Sequence, residues 1–371
     1  MFGTWKADRR LARLRAVQID EENLEAYALG CGLLGGGGGG ETRTAVLMAR
    51  EAIREHGPIE VAGLGDLADD DFLMPCGLLG APTVSLEKVP ARDEGDRLVA
   101  AVQELTGRAV AALMCVEIGG SNGLFPLIWA VRRGLPVVDA DGAGRAFPQL
   151  LQMSMHVTGV PVAPVVLTDE RHNVVTLGGE ITTHWAERLC RSTAVAFGGR
   201  ACAAMFTMDA KQARRAAVTG SVSHALSLGE LLVRHRTDPF GALSEKPGVV
   251  VLARGKIADV VRVTQGGFAR GSAIVHGTGD DRGRMIRVEF QNENLVAIED
   301  GQVVATTPTV ICLLDDTTAE AVATEELQFG QRVAVVLLPC DDVWHSPEGL
   351  EVAGPRAFGY DIDVTRPAGV R

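Results

Sequence analysis

The chain has 371 residues, 46% of them apolar and 22% charged, with a net charge of −11 and a pI near 5.3. A chain of this length and composition buries a large core and divides most readily into two domains. Acidic charge without a Lys or Arg stripe argues against nucleic acid as a partner, and no apolar run approaches the ~20 residues a membrane-spanning helix needs.

The N-terminal MFGTWKADRRLARLRAVQ is cationic but leads into no apolar h-region, so it does not read as a signal peptide and a cytoplasmic location is expected. Seven cysteines (31, 76, 115, 190, 202, 312, 340) are odd in number, scattered and mostly set in apolar segments such as ALMCVEI and TVICLLD. That is the usage of reduced, buried thiols rather than of a disulfide framework. No CxxC spacing marks a structural zinc site.

Along the chain, EENLEAYALG reads as a helix that runs into six glycines, Gly35 to Gly40, and TRTAVLMAREAIREHG reads as a second helix stopped by Gly57 and Pro58. Candidate strands follow at 59–64 (IEVAGL), 71–80 (DFLMPCGLLG), 109–117 (AVAALMCVE) and 135–141 (LPVVDAD), separated by the helical EGDRLVAAVQELTG and NGLFPLIWAVRRG. This alternation predicts an α/β layer fold with a largely parallel sheet. A second α/β portion runs through HWAERLCRSTAVAFGG and ACAAMFTMDAKQARRAAVTGSVSHALSLGELLVRHR, making a first domain over residues 1–245. From 246 to 340 short β-rich segments with turn signals such as EDGQ predict a small barrel or sandwich. The tail, 341–371, is too rich in Gly and Pro for strands and is expected to pack back on the first domain.

The glycine run is the most unusual feature, because ordering such residues costs roughly 0.5–1 kcal/mol each relative to Ala. A dinucleotide fingerprint needs a strand before it, but a helix precedes this one, and a P-loop needs a GK[ST] that is missing. What remains is bare main chain ahead of a helix N-terminus, with N–H groups for an anionic or dipolar ligand. The alternative is that Glu41 caps that helix itself. If the glycines bind ligand, Gly38→Ala or Gly39→Val should impair binding while leaving the fold intact.

Ligands of open parallel sheets bind beyond the carboxyl ends of the strands. The polar residues expected there are Glu117, ahead of Gly119, Gly120, Ser121 and Asn122; Asp139 and Asp141, ahead of Gly142, Arg145 and Phe147; and Glu87 with Lys88. They suggest a carboxylate pocket for acid/base chemistry or hydrolysis, with or without a divalent metal such as zinc. Glu117, Asp139, Asp141 and His156 are the candidate metal ligands. Asp139 and Asp141 read equally well as helix caps or Asx turns. No two histidines stand at ligand spacing, and Cys31 reads either as a nucleophile or as a small buried residue at a corner. Gln291, Asn292 and Glu293 interrupt a strand pattern with three polar residues, as a cleft lining or a β-bulge would.

Read together, LGCGLLGGGGGGETRTAVLMAREA, CGLLGAPTVSLEKVP, VEIGGSNGLFPL, LPVVDADGAGRAFPQLLQM, WAERLCRSTAVAFGG, GGFARG, VEFQNENLVA, LQFGQRVAVVLLPC and GPRAFGYD resemble the S-methyl thiohydantoin desulfurase family over nearly the whole chain. The resemblance implies a three-layer α/β/α domain carrying a smaller β-barrel-like C-terminal domain. It further implies hydrolytic removal of a sulfur substituent from a five-membered cyclic amide, in breakdown of a sulfur-containing histidine derivative and in company with hydantoinase or oxoprolinase systems. A non-catalytic accessory subunit of such a system is the other reading. The family-like positions are Gly36, Gly37, Gly38, Gly39, Gly40, Pro82, Glu87, Lys88, Glu117, Gly119, Gly120, Asp139, Asp141, Gly142, Arg145, Phe147, Gln291, Asn292 and Glu293. Departures fall at Glu41-Thr42, where Asp-Pro is usual, at Gln149, where Glu is usual, and at His156, which replaces a small residue. On this reading Glu117 or Asp139 is the base, Arg145 and Lys88 hold a substrate carboxylate or ring oxygen, and the glycine loop supplies an oxyanion hole. The expected partner is a small-molecule substrate, and homo-oligomerisation is left open.

Overall fold

The computed structural model describes residues 17–366, apart from 81–83, 85, 86, 89, 266 and 267. Most of the cationic N-terminus, Pro82 and the two leading glycines of GGFARG therefore lie outside the described residues. Among the described residues no helix is long and apolar enough to cross a membrane.

Two sheets organise the chain. The first comprises β1 (Val17–Ile19), β2 (Ile59–Ala62), β3 (Phe72–Gly80), β4 (Val110–Cys115), β5 (Val137–Asp141), β6 (Val165–Thr168), β7 (Val174–Leu177), β8 (Arg200–Ala204), β9 (Met208–Asp209) and β10 (Val218–Thr219). Its spatial order is β1-β2-β5-β4-β3-β8-β6-β7, with β10 beside β5 and β9 beside β3. The central β2, β5, β4 and β3 are parallel, as their apolar runs predict. Residues of β4 explain those runs: Leu113 and Cys115 enter one buried core while Ala112 and Met114 enter another on the opposite face. A strand covered on both faces has no polar side to show.

The other half of this sheet is antiparallel, which the apolar runs do not predict. β8 pairs antiparallel with β3 and β6, and β6 with β7. Its RACAA falls in the stretch that the sequence pattern marks only as α/β, and its small side chains are what a strand buried on both sides between β3 and β6 accommodates. The second sheet is entirely antiparallel, ordered β15 (Gln302–Thr306), β14 (Glu293–Glu299), β13 (Met285–Gln291), β12 (Phe268–Gly277), β11 (Val250–Gln265), β17 (Arg332–Leu338), β16 (Val310–Asp315). It curls into a half-barrel around its own core, which includes Ile257, Val288, Phe290 and Val335. Beyond it, the fully buried Trp344 donates from Nε1 to the Ala143 carbonyl at 2.7 Å, fastening the C-terminal segment to the end of β5.

The helix Leu24–Gly35 absorbs the first part of LGCGLLG and ends on Gly36 in the left-handed conformation (φ 55°). It crosses the helix Ser221–Arg234 so closely that a Cβ on Gly30 would stand 1.7 Å from the Ala225 carbonyl oxygen, and one on Gly229 would stand 1.5 Å from that of Ala26. Gly30 is thus a packing requirement. Cys31 is fully buried in the same helix, and burial pushes its pKa up to about 12, which leaves a thiol with no nucleophilic character.

Candidate active site

Where β3 and β4 end and β8 begins, a pocket of about 90 Å³ opens between the first sheet and the half-barrel. Its lining includes the acids Glu117 and Glu293, the cations Arg191 and Arg200, and Gly39 and Gly40 of the glycine run. The volume suits one small ring, well below the roughly 300–1,000 Å³ of pockets that take larger ligands. A larger cavity, about 410 Å³, lies on the other side of the glycine loop, and most of its charges form ion pairs such as Arg43 with Glu41 and Arg50 with Glu25. The buried acids gather in the smaller one.

Glu117 stands two residues beyond β4 and is 6% exposed. Its Oε1 accepts from Asn122 Nδ2 at 2.7 Å and its Oε2 from the Phe147 amide at 2.9 Å. Asn122 is itself locked, because its Oδ1 accepts from the Leu78 amide at 2.7 Å and its Nδ2 also donates to the Leu78 carbonyl at 3.2 Å. Burial pushes the Glu117 pKa up to about 7, against those hydrogen bonds and the charges of Arg145 and Arg191. A carboxyl poised there exchanges protons readily at neutral pH.

Glu293 arrives from the half-barrel. The turn between β13 and β14 pivots on Asn292, which adopts φ 58°, a left-handed conformation that Asn tolerates. Its amide donates to the Ala269 carbonyl at 2.8 Å and its Oδ1 accepts from the Ala269 amide at 2.9 Å. The three polar residues that interrupt the strand pattern are therefore a closed turn, and it delivers Glu293, 2% exposed, into the pocket. Among the described residues Glu293 Oε2 has no hydrogen-bond partner. Burial, and then the neighbouring Glu117 charge, raise the Glu293 pKa well above its ordinary value, which favours the protonated acid.

The glycine run is what lets the two parts of the chain meet here. A Cβ on Gly38 would stand 2.0 Å from Glu293 Oε1, and one on Gly37 would stand 2.7 Å from Asn294 Nδ2. The Gly36 and Gly37 carbonyls accept from the Asn294 and Thr324 amides, and the Gly39 and Gly40 carbonyls accept from Asn122 and Ser121. Gly119 and Gly120 press main chain against Gly35, Gly39 and Gly40 from the other side. The Gly39 and Gly40 amides donate no hydrogen bond to any described residue. Glu41 caps the following helix, as the alternative reading had it, accepting from the Arg43 and Thr44 amides at 2.7 and 3.3 Å.

Several expected site residues lie elsewhere. Asp139 is a helix cap: its Oδ1 accepts from the Ser223 amide at 3.0 Å and its Oδ2 from Ser223 Oγ at 2.6 Å, at the start of the helix Ser221–Arg234. Asp139→Ala is therefore expected to destabilise the protein by about 1 kcal/mol in urea denaturation while thiol release, the activity proposed below, is retained. Asp141 is fully buried and accepts from the Ile118, Ala143 and Gly144 amides at 2.8, 3.1 and 2.9 Å, tying down the loop that carries Glu117 without lining the pocket. Burial pushes its pKa up to about 7 as well. Arg145, also fully buried, donates to the carbonyls of Ala146, Pro308 and Thr309 and lies over the Phe147 ring, joining the two sheets from behind. Lys88 pairs with Glu170 at 2.8 Å, and Glu87 is exposed to solvent. His156 is half-buried in a four-residue helix, facing Glu351. The proposed metal set thus does not assemble, and among the described residues no three His, Cys, Asp or Glu side chains come together to hold a metal ion.

The pocket's cations are Arg191 and Arg200, neither anticipated. Arg191, in the helix Thr183–Ala196, is an i,i+4 partner of Glu187, a pattern that in sequence reads as a solvated helix face. It also donates to the Pro148 carbonyl and stacks over Phe268. Arg200 was legible only to a reader who took RACAA as a strand entering at the pocket's rim.

Comparison with known proteins agrees with this architecture. A solved structure of a protein from Chromobacterium violaceum superimposes with a TM-score of 0.79 at 23% identity, covering 95% of this chain and 100% of that one, a likeness of fold. A search of curated proteins finds no match. The family model described as S-Me-THD-like, N-terminal domain matches residues 22–178, and that described as S-Me-THD-like, C-terminal domain matches residues 181–366. With both models matched in order along nearly its whole length, the chain belongs to the S-methyl thiohydantoin desulfurase family.

Proposed function

We propose that the protein hydrolyses the carbon–sulfur bond of an S-methyl thiohydantoin-type ring, releasing a thiol and leaving a hydantoin. The observation that carries this reading is the convergence of two buried carboxyls, Glu117 and Glu293, on one small pocket with their pKa values raised unequally. Two acids held in opposite protonation states are the requirement for adding water to an amidine-like carbon and expelling sulfur.

In the first step the Glu117 carboxylate takes a proton from water as its oxygen bonds to the ring carbon bearing sulfur, and the Glu293 acid protonates the adjacent ring nitrogen. In the second, the carbon–sulfur bond breaks, Glu117 returns its proton to the departing thiolate, and Glu293 recovers one from the new hydroxyl as the carbonyl forms. Both carboxyls end as they began. The Gly39 and Gly40 amides supply hydrogen bonds to a ring oxygen. The product is a hydantoin, so a ring-opening hydantoinase is the class of enzyme that would consume it.

Purified protein incubated with an S-methyl thiohydantoin is expected to release free thiol, measured with a colorimetric thiol reagent. Its kcat/KM should rise with pH through about 7 as Glu117 ionises and fall at higher pH as Glu293 loses its proton. Ligand-induced thermal stabilisation without thiol release at any pH would instead favour a non-catalytic accessory role.

A further inference from the structure

Pairing of β3 with β4 ends at Cys76 and Cys115, while β3 runs on to Gly80 against β8. The edge that β4 leaves behind is taken up by a side chain. Asn122 Oδ1 accepts from the Leu78 amide at 2.7 Å and its Nδ2 donates to the Leu78 carbonyl at 3.2 Å, the two-bond pattern with which a neighbouring strand would meet Leu78. Gly77 makes room for it, since a Cβ there would stand 3.1 Å from Asn122 Oδ1 and 2.7 Å from Val116 Cγ1.

Leu78 also fixes which way round the side-chain amide lies. Its N–H needs an acceptor, so Oδ1 faces it, and Nδ2 is left to donate to the Leu78 carbonyl and to Glu117 Oε1 at 2.7 Å. The Asn122 main-chain amide donates to the Gly39 carbonyl at 3.4 Å. A residue only 6% exposed thus ties together β3, the glycine run and Glu117. Of its bonds, the one to Glu117 alone reaches an ionisable group.

Glu117 needs such a donor. Burial raises its pKa, opposed by the Phe147 amide, by Asn122 and by the charges of Arg145 and Arg191, while Glu293 faces it from the half-barrel. An N–H that can only donate favours the ionised carboxylate over the acid. The Phe147 donor is main chain, so Asn122 is the uncharged side chain that tips this balance.

We infer that Asn122 is a positioning residue for the proposed reaction: braced on Leu78, it holds Glu117 Oε1 by its second amide hydrogen and so keeps that carboxyl in place and in its basic form for the attack of water on the ring. This rests on the hydrolase reading and deepens it. Asn is the side chain the position requires, because Asp has the length and the acceptor but neither donor.

Two substitutions separate this role from a merely structural one. Asn122→Asp keeps the shape and the acceptor for the Leu78 amide but offers Glu117 no N–H. Asn122→Ser shortens the side chain and removes the donor without adding charge. In both, the acid limb of kcat/KM for thiol release is expected to move up by about one to two pH units, the worth of a hydrogen bond to a charged group. At pH 6 that is a loss of about 10- to 100-fold, with a smaller loss above the limb. A second measurement does not depend on turnover: the Glu117 carboxyl, followed by carbon NMR of protein labelled at glutamate Cδ and assigned with Glu117→Gln, should titrate at correspondingly higher pH in both variants. A uniform fall in kcat/KM at every pH, or a Glu117 titration that does not move in either variant, would overturn the inference. Absence of thiol release from the unaltered protein, with the Glu117 titration still moved by both substitutions, would sink the hydrolase reading and leave the clamp on Glu117 standing.

Discussion

Glu117→Gln is expected to lower thiol release by about 10³-fold and, at the same time, to stabilise the protein at alkaline pH. The first effect follows from removing the proton acceptor that activates water, a contribution of about 10²–10⁴-fold in comparable reactions. The second follows from linkage. The Glu117 pKa is about 7 in the folded protein and about 4.3 in an unfolded chain. Between those values the unfolded state releases a proton that the folded state keeps, so the unfolded state binds fewer protons and stability falls as pH rises. The contribution is fully present below the unfolded value and is lost as pH climbs through 7. At pH 8 the carboxylate therefore costs the fold about 4 kcal/mol, and at pH 5 only about 1 kcal/mol. Gln keeps the shape and carries no charge, so its advantage in urea midpoint should be large at pH 8 and small at pH 5. A stability difference that does not change with pH would mean that Glu117 is not a perturbed acid, whatever its effect on turnover.

That pairing of strain and function explains which parts of the molecule could be read from its sequence. The parallel strands β3 and β4 are legible because they are covered on both faces and run largely apolar, whereas β2 interrupts its run with exposed Glu60 and β5 with Asp139 and Asp141. Glu117 was legible because it breaks such a run immediately before two glycines. Glu293 was visible as part of a polar interruption in a barrel strand, although nothing local says that the turn closes through Asn292 onto Ala269. Asp139 and Asp141 look alike in sequence, each an acid at the end of one strand. Their different fates are set by Ser223 and by Ile118, contacts that only the assembled sheet creates. The cations are hidden from the sequence for a related reason. Arg145 and Lys88 lie close in sequence to carboxylates, but proximity along the chain carries no information about which side of a strand end faces the pocket. Arg191 and Arg200 come from a helix and a strand that the first sheet brings in only through its antiparallel extension. The glycine run reaches the pocket as bare main chain, but its purpose is different from a phosphate cradle. It is thin so that the half-barrel can press Glu293 and Asn294 against it.

The same contacts separate two glycine substitutions that look equivalent in sequence. Gly38 does not have a positive φ, and a methyl there would meet Glu293 Oε1 at 2.0 Å and Cδ at 2.5 Å, the free end of a flexible side chain. Gly38→Ala should therefore fold, losing about 1–3 kcal/mol to overpacking, while its displaced carboxyl lowers thiol release by about 10²-fold. Gly39 has φ 73°, and a side chain there would stand 2.2 Å from the Gly119 carbonyl oxygen, which is main chain and cannot swing aside. Gly39→Val combines left-handed strain in a β-branched residue with that collision and is expected to leave little folded protein, contrary to the expectation that the fold would survive either change. Circular dichroism melts and soluble yield distinguish the two outcomes. The decisive measurement is a double-mutant cycle: if Gly38 acts by seating Glu293, then Gly38→Ala added to Glu293→Gln should cost almost no further activity. Additive losses would show that Gly38 contributes to the pocket by some route other than Glu293, and the idea of the glycine wall as a seat for the half-barrel's acid would have to be abandoned.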